Sequence, residues 1–367
     1  MPVPVAVAAS IPQYPRVPVT REDLEYAGLP IIDLSMADTY EGRVELAKDV
    51  TKAMTTIGFF YIINHGLTQA QNDRMFDIAN VAFDHVSEEE KQIYTTSFEK
   101  TGQYIGYKPR QQWHIKGGVS DQIEQYNMDH DIMKDEHPKP LRPFLSEMDA
   151  FSRHCHFHVV HSILRLLAIG LELPDEEALV NVHQFSEDNE SAARFMKYYP
   201  RTDDEEFKTD GVWLKGHTDI GSISVLWSQP ISALQILGQD GKWRWIRHID
   251  NALVINAGDV MEFLSGGYYK ATIHRVVQPP ADQRGYERLG VFYFCKADDN
   301  IKLVPFAESP VLQRVGIKRL CDDEVAPTML EWRKSRTAGY GVTDLKLNAK
   351  TGHEEETVEG VLVTHYN

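Results

Sequence analysis

The stretch GHTDIGSISVLW, residues 216–227, sets a histidine and an aspartate two positions apart at the head of an apolar, β-branched run. Side chains at i and i+2 of an extended strand share a face, so His217 and Asp219 can approach one cation while Thr218 points away. A third ligand from another strand would complete two histidines and one carboxylate, the facial set that leaves adjacent positions open on iron(II). His274, in YKATIHRVV, is the candidate. Gly216, Gly221 and Ser222 are small enough to let a ligand approach closely. An H-x-D pair or a lone histidine is common by chance; weight comes from the joint pattern, both in strand-like context with a hairpin between them.

Further along, ERLGVFYFCKADD places Arg288, Gly290, Phe292 and Phe294 on one face of a strand by alternation. An arginine buried beside two aromatics needs an anion. Its fork suits the distal carboxylate of a dicarboxylic co-substrate, gripped through two hydrogen bonds. Taken alone, Arg288 would more simply be an edge-strand residue facing water.

The surrounding chain divides by periodicity. Residues 1–28 are proline-spaced and read as an arm. LPIIDL (29–34) reads as a strand, and Val44, Leu46, Val50 and Met54 mark an amphipathic helix that Gly58 stops before FFYIIN (59–64) resumes as a strand. Helical patterns follow at 68–95 and 145–172. From about residue 192 the period becomes strand-like. Asp240-Gly241 between two alternating runs marks a tight hairpin, and ALVINAGDVMEFLSGG, YKATIHRVV and RLGVFYFC read as further strands. MLEWRKSR (329–336) reads as a last helix, and the acidic tail after 350 is expected to fray.

These segments together resemble one family. WLKGHTDIGSISVLW, ALQILGQDGKWRWI, ALVINAGDVMEFLSGGYYKATIHRV and RLGVFYF, with LPIIDLS and IGFFYIINHGL in the first half, are similar to the iron(II)- and 2-oxoglutarate-dependent dioxygenases of the isopenicillin N synthase-like group. The resemblance implies a mainly β fold with flanking helices around a double-stranded β-helix, or jelly-roll, core. The expected organisation is an arm (1–28), a mixed α/β region packing on the core (29–190), the jelly-roll core (191–300), a C-terminal helical closure (301–350) and a tail (351–367). It further implies that His217, Asp219 and His274 hold iron(II), that Arg288 and Tyr199 bind 2-oxoglutarate, and that O2 is consumed. Phe292 and Phe294, with Tyr104 and Tyr107 from GQYIGYKP (102–109), are the candidates for substrate contact. Two positions depart from the family pattern: Lys197 stands where an asparagine is usual, and Gly290 replaces the serine or threonine two after the arginine.

A net charge of −16 argues against nucleic acid or anionic lipid as a partner, and small molecules are expected instead. The start lacks the basic flank and apolar core of a signal peptide, and no run approaches the roughly 18 apolar residues of a membrane span. A cytoplasmic protein is therefore expected, its oligomeric state unspecified. Cys155, Cys295 and Cys321 are too scattered for a zinc site or disulfide framework. The histidines of RHCHFHVVHS lie in a helical pattern without a carboxylate at ligand spacing, and His248 and Asp250 repeat H-x-D without a third partner. The functional expectation is an oxygenase that hydroxylates, desaturates or cyclises a hydrophobic small molecule in secondary metabolism. A 2-oxoglutarate-independent oxidase or cyclase of the same fold, and a catalytically silent ligand-binding jelly roll, are the alternatives.

Overall fold

The computed structural model describes residues 11–96, 103–339, 346–347 and 354–365. The strands of the first half are β1 (Ile31–Asp33), β2 (Phe59–Ile63), β3 (Gly106–Lys108), β4 (His114–Lys116), β5 (Val119–Ser120) and β6 (Ile123–Asp129). The second half contributes β7 (Ala192–Tyr198), β8 (Val212–His217), β9 (Ile223–Trp227), β10 (Leu234–Leu237), β11 (Trp243–Trp245), β12 (Leu253–Ala257), β13 (His274–Val277) and β14 (Arg288–Cys295). Near the C-terminus lie β15 (Lys346–Leu347), β16 (Glu354–Val358) and β17 (Val361–His365).

Two sheets face each other. One has eight strands in the order β1-β2-β12-β9-β14-β7-β6-β3, antiparallel except for β1 against β2; the other runs β11-β10-β13-β8. This is a jelly-roll core of mainly β structure with flanking helices. Alternation sorts the eight-stranded sheet cleanly. Phe59, Tyr61, Ile123, Met196, Tyr198, Leu226 and Val254 turn inward and meet Leu214, Leu234, Ile236 and Val276 of the second sheet. Their neighbours Phe60, Ile62, Tyr126, Phe195, Val225, Ile255, Val291 and Tyr293 turn outward under the helices Tyr40–Thr56 and Gln69–Asp84 and the helical stretch 145–170. Each such side chain removed from water contributes about 1.5–3 kcal/mol, so a one-residue register slip in any of these strands would invert two buried faces.

Gly58 ends the first long helix with φ +75°, and a Cβ there would lie 2.5 Å from the Lys270 carbonyl oxygen. The Asp240-Gly241 hairpin closes between β10 and β11 as expected, with Gly241 at φ +75°.

Several expectations are corrected. The core is not confined to 191–300, because β1 and β2 extend one edge of the large sheet and β6 and β3 the other. The strands at 106–108 and 123–129 are not marked by the hydrophobic period, since IEQYNMD mixes polar residues into its inward face. ALVINAGDVMEFLSGG is a strand only through Ala257; Asp259–Leu264 is helical, starting where Gly258 turns the chain. Within the tail, residues 354–365 do not fray: β16 and β17 pair as a hairpin, with Val358, Val361 and Val363 buried in the main core. The histidine-rich run, by contrast, is helical as read, with a π-helical segment at Cys155–Val160, and its histidines pack against other groups: His156 Nδ1 lies 2.8 Å from the Tyr293 hydroxyl.

Candidate active site

His217 is the last residue of β8 and His274 the first of β13, and the two are directly opposed across that antiparallel pair, ring centroids 4.5 Å apart. Asp219 joins them differently from the strand alternation expected. It lies beyond the end of β8, in the turn leading to β9, where its carbonyl accepts a hydrogen bond from the Asp259 amide at 2.8 Å. That turn swings the carboxylate back: Asp219 Oδ1 is 3.9 Å from His217 Nε2 and 3.7 Å from His274 Nε2. One ligand atom from each residue lies within 4.8 Å of the others, a spread that small side-chain rotations close onto a single ion. Among the described residues no other group of histidine, cysteine and carboxylate side chains converges in this way.

The groups behind the triad orient it. His217 Nδ1 lies 2.8 Å from the Lys215 carbonyl and His274 Nδ1 3.1 Å from that of Thr272. A carbonyl only accepts, so each Nδ1 carries the proton and each Nε2 presents its lone pair inward. Ser224 on β9 and Asn256 on β12 donate to Asp219 Oδ2 at 2.5 and 2.8 Å, leaving Oδ1 for the imidazoles. The site thus spans both sheets. Burial and the neighbouring His274 push the His217 pKa down, which keeps it neutral and able to ligate. Burial would raise that of Asp219, but the two histidines and the hydrogen bonds from Asn256 and Ser224 outweigh it and hold the carboxyl ionised.

The triad opens into a cavity of about 160 Å³ between the sheets, with Phe59, Trp113, Leu214, Leu226, Phe292 and Phe294 among its walls. By the measure that gives one water roughly 10–15 Å³, this holds about a dozen, enough for a five-carbon diacid beside part of a small substrate.

Two family models match well over half of the chain: the N-terminal region of non-haem dioxygenases in morphine synthesis over residues 29–146, and the 2OG-Fe(II) oxygenase superfamily over 190–297. The chain belongs to the iron(II)- and 2-oxoglutarate-dependent oxygenases. It is 28% identical over 295 residues to the 2-oxoglutarate-dependent dioxygenase frbH of a Dothideomycetidae species, covering 77% of this chain and 86% of that one. Identity to scopoletin 8-hydroxylase of Arabidopsis thaliana is 27% over 309 residues, covering 83% and 80%. The fold is shared with a full-length Neurospora crassa protein solved in complex with alpha-KG, at a TM-score of 0.72, 22% identity, and coverage of 84% and 96%. The same holds for a Caulobacter crescentus protein of the oxygenase family, at 0.71 and 22%, covering 85% and 98%. As an oxidoreductase of this family the protein requires iron(II), 2-oxoglutarate and O2.

The oxygenase's residues fit those groups. Two imidazoles and a carboxylate are a donor set suited to ferrous iron. Arg288 is 3% exposed, its Nε and Nη1 have no hydrogen-bond partner, and no carboxylate pairs with it among the described residues. Burial pulls its pKa below the usual arginine value. A guanidinium stays charged nonetheless, so an unpaired one in the wall of a cavity is built for an anion that arrives with a ligand.

Tyr199 does not share that pocket. Arg288 is in register with Tyr198, whose ring centroid is 5.2 Å from the guanidinium carbon, whereas the Tyr199 hydroxyl turns away and donates to Glu124 at 2.9 Å. Lys197 likewise faces outward, pairing with Asp84 at 2.7 Å and Glu287 at 2.6 Å, so this departure from the family pattern does not touch the cavity. Phe292, Phe294 and Tyr104 line the cavity, but Tyr107 does not: its hydroxyl donates to the Ala82 carbonyl at 2.7 Å on the helix side of the sheet. Sequence reasoning also misses Ser224, Asn256, Gln125 and Arg194. Asn256, a polar residue inside the apolar run LVINA, is the one signal available.

Proposed function

We propose that this oxygenase uses His217, Asp219 and His274 to hold iron(II), and Arg288 to bind the far carboxylate of 2-oxoglutarate, in oxidising a largely apolar small molecule. The observation that carries this reading is the unpaired, buried guanidinium opening on the same cavity as the triad. Bound iron(II) and 2-oxoglutarate supply the oxidation, with O2 consumed and the co-substrate converted to succinate and CO2.

The chain's own part is positioning and exclusion of water. The carbonyls of Lys215 and Thr272 fix the proton on each Nδ1 and so aim each Nε2 at the metal position. Arg288 and the ring of Tyr198 fix one end of the co-substrate, so its other end points along the cavity to the triad. Phe292, stacked on Phe294 at 5.6 Å with 11° between planes, offers an apolar surface for substrate, while Arg194 lies over the Phe294 ring at 4.5 Å. Hydroxylation, desaturation and ring formation all begin from the same bound geometry, and hydroxylation is the simplest outcome. Several similar proteins carry names of small-molecule oxidations, among them scopoletin 8-hydroxylase and gibberellin 20 oxidase 5 of Arabidopsis thaliana. This supports, by analogy, a role in secondary metabolism.

An oxidase that dispenses with 2-oxoglutarate would leave Arg288 without an anion, and a silent binding protein would have no need of two imidazoles converging on a carboxylate. A metabolite screen against purified protein with iron(II), scored by succinate release, tests the reading. Succinate formed only with 2-oxoglutarate and an accepted substrate is expected. Substrate oxidation that proceeds unchanged without 2-oxoglutarate would rule it out.

A further inference from the structure

Most of the cavity wall is apolar, yet its β6 side is not. The inward face of β6 carries Ile123, Gln125 and Asn127, and β6 pairs with β7 so that Gln125 lies opposite Met196, which lies opposite Gly290 on β14. Gln125 is thus two strands from Gly290, roughly 10 Å at the usual strand spacing. Its side chain is fully buried and lines the cavity, and neither its Nε2 nor its Oε1 has a hydrogen-bond partner among the described residues. Asn127, the next inward residue, accepts from Arg194 Nε and donates to the Gly106 carbonyl at 3.3 Å. Beside this row the Tyr104 hydroxyl is also buried, lines the cavity and lacks a partner among the described residues, while the Tyr104 backbone amide is held at 2.5 Å by Glu190.

A buried carboxamide that satisfies neither its donor nor its acceptor is costly, and native interiors rarely tolerate both together. Two such groups on one cavity wall are placed to pair with polar groups that a ligand brings. The co-substrate is not the natural one: Arg288 already meets its anion, and a carboxylate can only accept, leaving the Gln125 carbonyl unmet.

We infer that Gln125, aided by the Tyr104 hydroxyl, is a specificity-determining residue that reads a planar amide-type edge on the substrate, a lactam, imide or primary carboxamide offering a donor and an acceptor side by side. This rests on the oxygenase reading of the cavity. Two antiparallel hydrogen bonds pair the substrate N–H with Gln125 Oε1 and the substrate carbonyl with Nε2, while Phe292 packs on its apolar body. The substrate class is therefore a flat, mostly apolar molecule with one amide edge, not a pure hydrocarbon.

The test uses the whole protein loaded anaerobically with iron(II) and 2-oxoglutarate, whose visible charge-transfer band reports that the ferrous site and co-substrate are in place. The probes are 2-quinolone and N-methyl-2-quinolone, which share a two-ring frame but differ in the N–H. The first is expected to bind at least tenfold more tightly by calorimetry. Gln125→Leu should lose that preference and Tyr104→Phe should weaken 2-quinolone about fivefold, both with the band intact. Equal binding of the two probes, binding of neither, or a preference that survives in both variants overturns the inference. So does a Gln125→Leu variant that changes only the 2-oxoglutarate requirement, which would assign Gln125 to the co-substrate. Should Gln125→Leu fail to fold, the wild-type probe comparison and Tyr104→Phe decide. Absence of the band in the wild-type protein would instead refute the oxygenase reading itself.

Discussion

Gly290 lies beneath the ring of Phe292: a Cβ at position 290 would come within 2.6 Å of Phe292 Cε2. The aromatic ring thus occupies the space that a hydroxyl-bearing side chain at 290 would need. A serine at 290 would gain a hydrogen bond to the co-substrate of about 1 kcal/mol, or fivefold, but it would force the ring into the cavity. Gly290→Ser is expected to raise the substrate KM more than it lowers the 2-oxoglutarate requirement, measured by succinate formation with each varied in turn. A larger change in the co-substrate requirement would mean the ring is free to move elsewhere.

Arg288 makes an opposite pair of demands on stability and function. Arg288→Met removes a buried charge that has no carboxylate partner, so the ligand-free protein should gain roughly 2–5 °C in Tm. The same change should raise the 2-oxoglutarate requirement on the order of 100-fold while iron(II) still binds. Thermal scans with and without 2-oxoglutarate separate the two effects. A fall in Tm would make Arg288 a structural residue.

Removing His274 or Asp219 should abolish turnover and cut bound iron to background. The two losses differ in their effect on the apoprotein. Asp219→Ala leaves the Ser224 hydroxyl and Asn256 amide without their acceptor and should destabilise by about 1–3 kcal/mol, whereas His274→Ala should cost less. Iron content by metal analysis and urea midpoints of the two variants check this; equal midpoints would contradict it.

The C-terminal helix Met329–Gly339 reaches the triad through Arg336. This side chain is fully buried, with Nε 3.2 Å from Asp259 Oδ2 and Nη2 3.5 Å from the carbonyl of Thr218, the residue between two of the triad. Asp259 in turn holds the Asp219 backbone. Arg336→Met is expected to weaken iron(II) binding 10- to 100-fold, as loss of a group behind a ligand typically does, with a 2-oxoglutarate requirement unchanged once iron is saturating. Iron titration of the variant gives the answer.

Acid should destabilise the protein well above the carboxylate range. Burial holds His65 and His183 down at about 4 and His156 at about 3. Between pH 6.5 and 4 the unfolded chain binds protons on these residues that the folded chain refuses, so stability falls as pH falls, by about 1.4 kcal/mol per pH unit for each. His130 works the other way. Burial alone would lower its pKa, but Asp129 raises it, offsetting part of the loss. Urea midpoints at pH 7.5 and 5.5 should differ clearly, and His183→Gln should shrink the difference. A midpoint independent of pH across this range would contradict the buried, neutral histidines.

The sequence by itself singled out the candidate ligands and the inward face of β14. His217, Asp219, His274 and Arg288 sit in short segments whose composition and alternation are local properties, and side-chain period alone put Phe292 and Phe294 beside Arg288. What only the tertiary structure decided was everything that depends on which strand lies next to which. Tyr198 and Tyr199 are chemically identical neighbours, and only the pairing of β7 with β14 determines which of them faces Arg288. The turn that swings Asp219 back is fixed by the distant Asp259 amide, and the valines of the C-terminal hairpin become core only where they meet the rest of the molecule. Local periodicity sets the direction of a side chain relative to its own strand; what that direction meets is set by long-range packing, which a linear pattern does not carry.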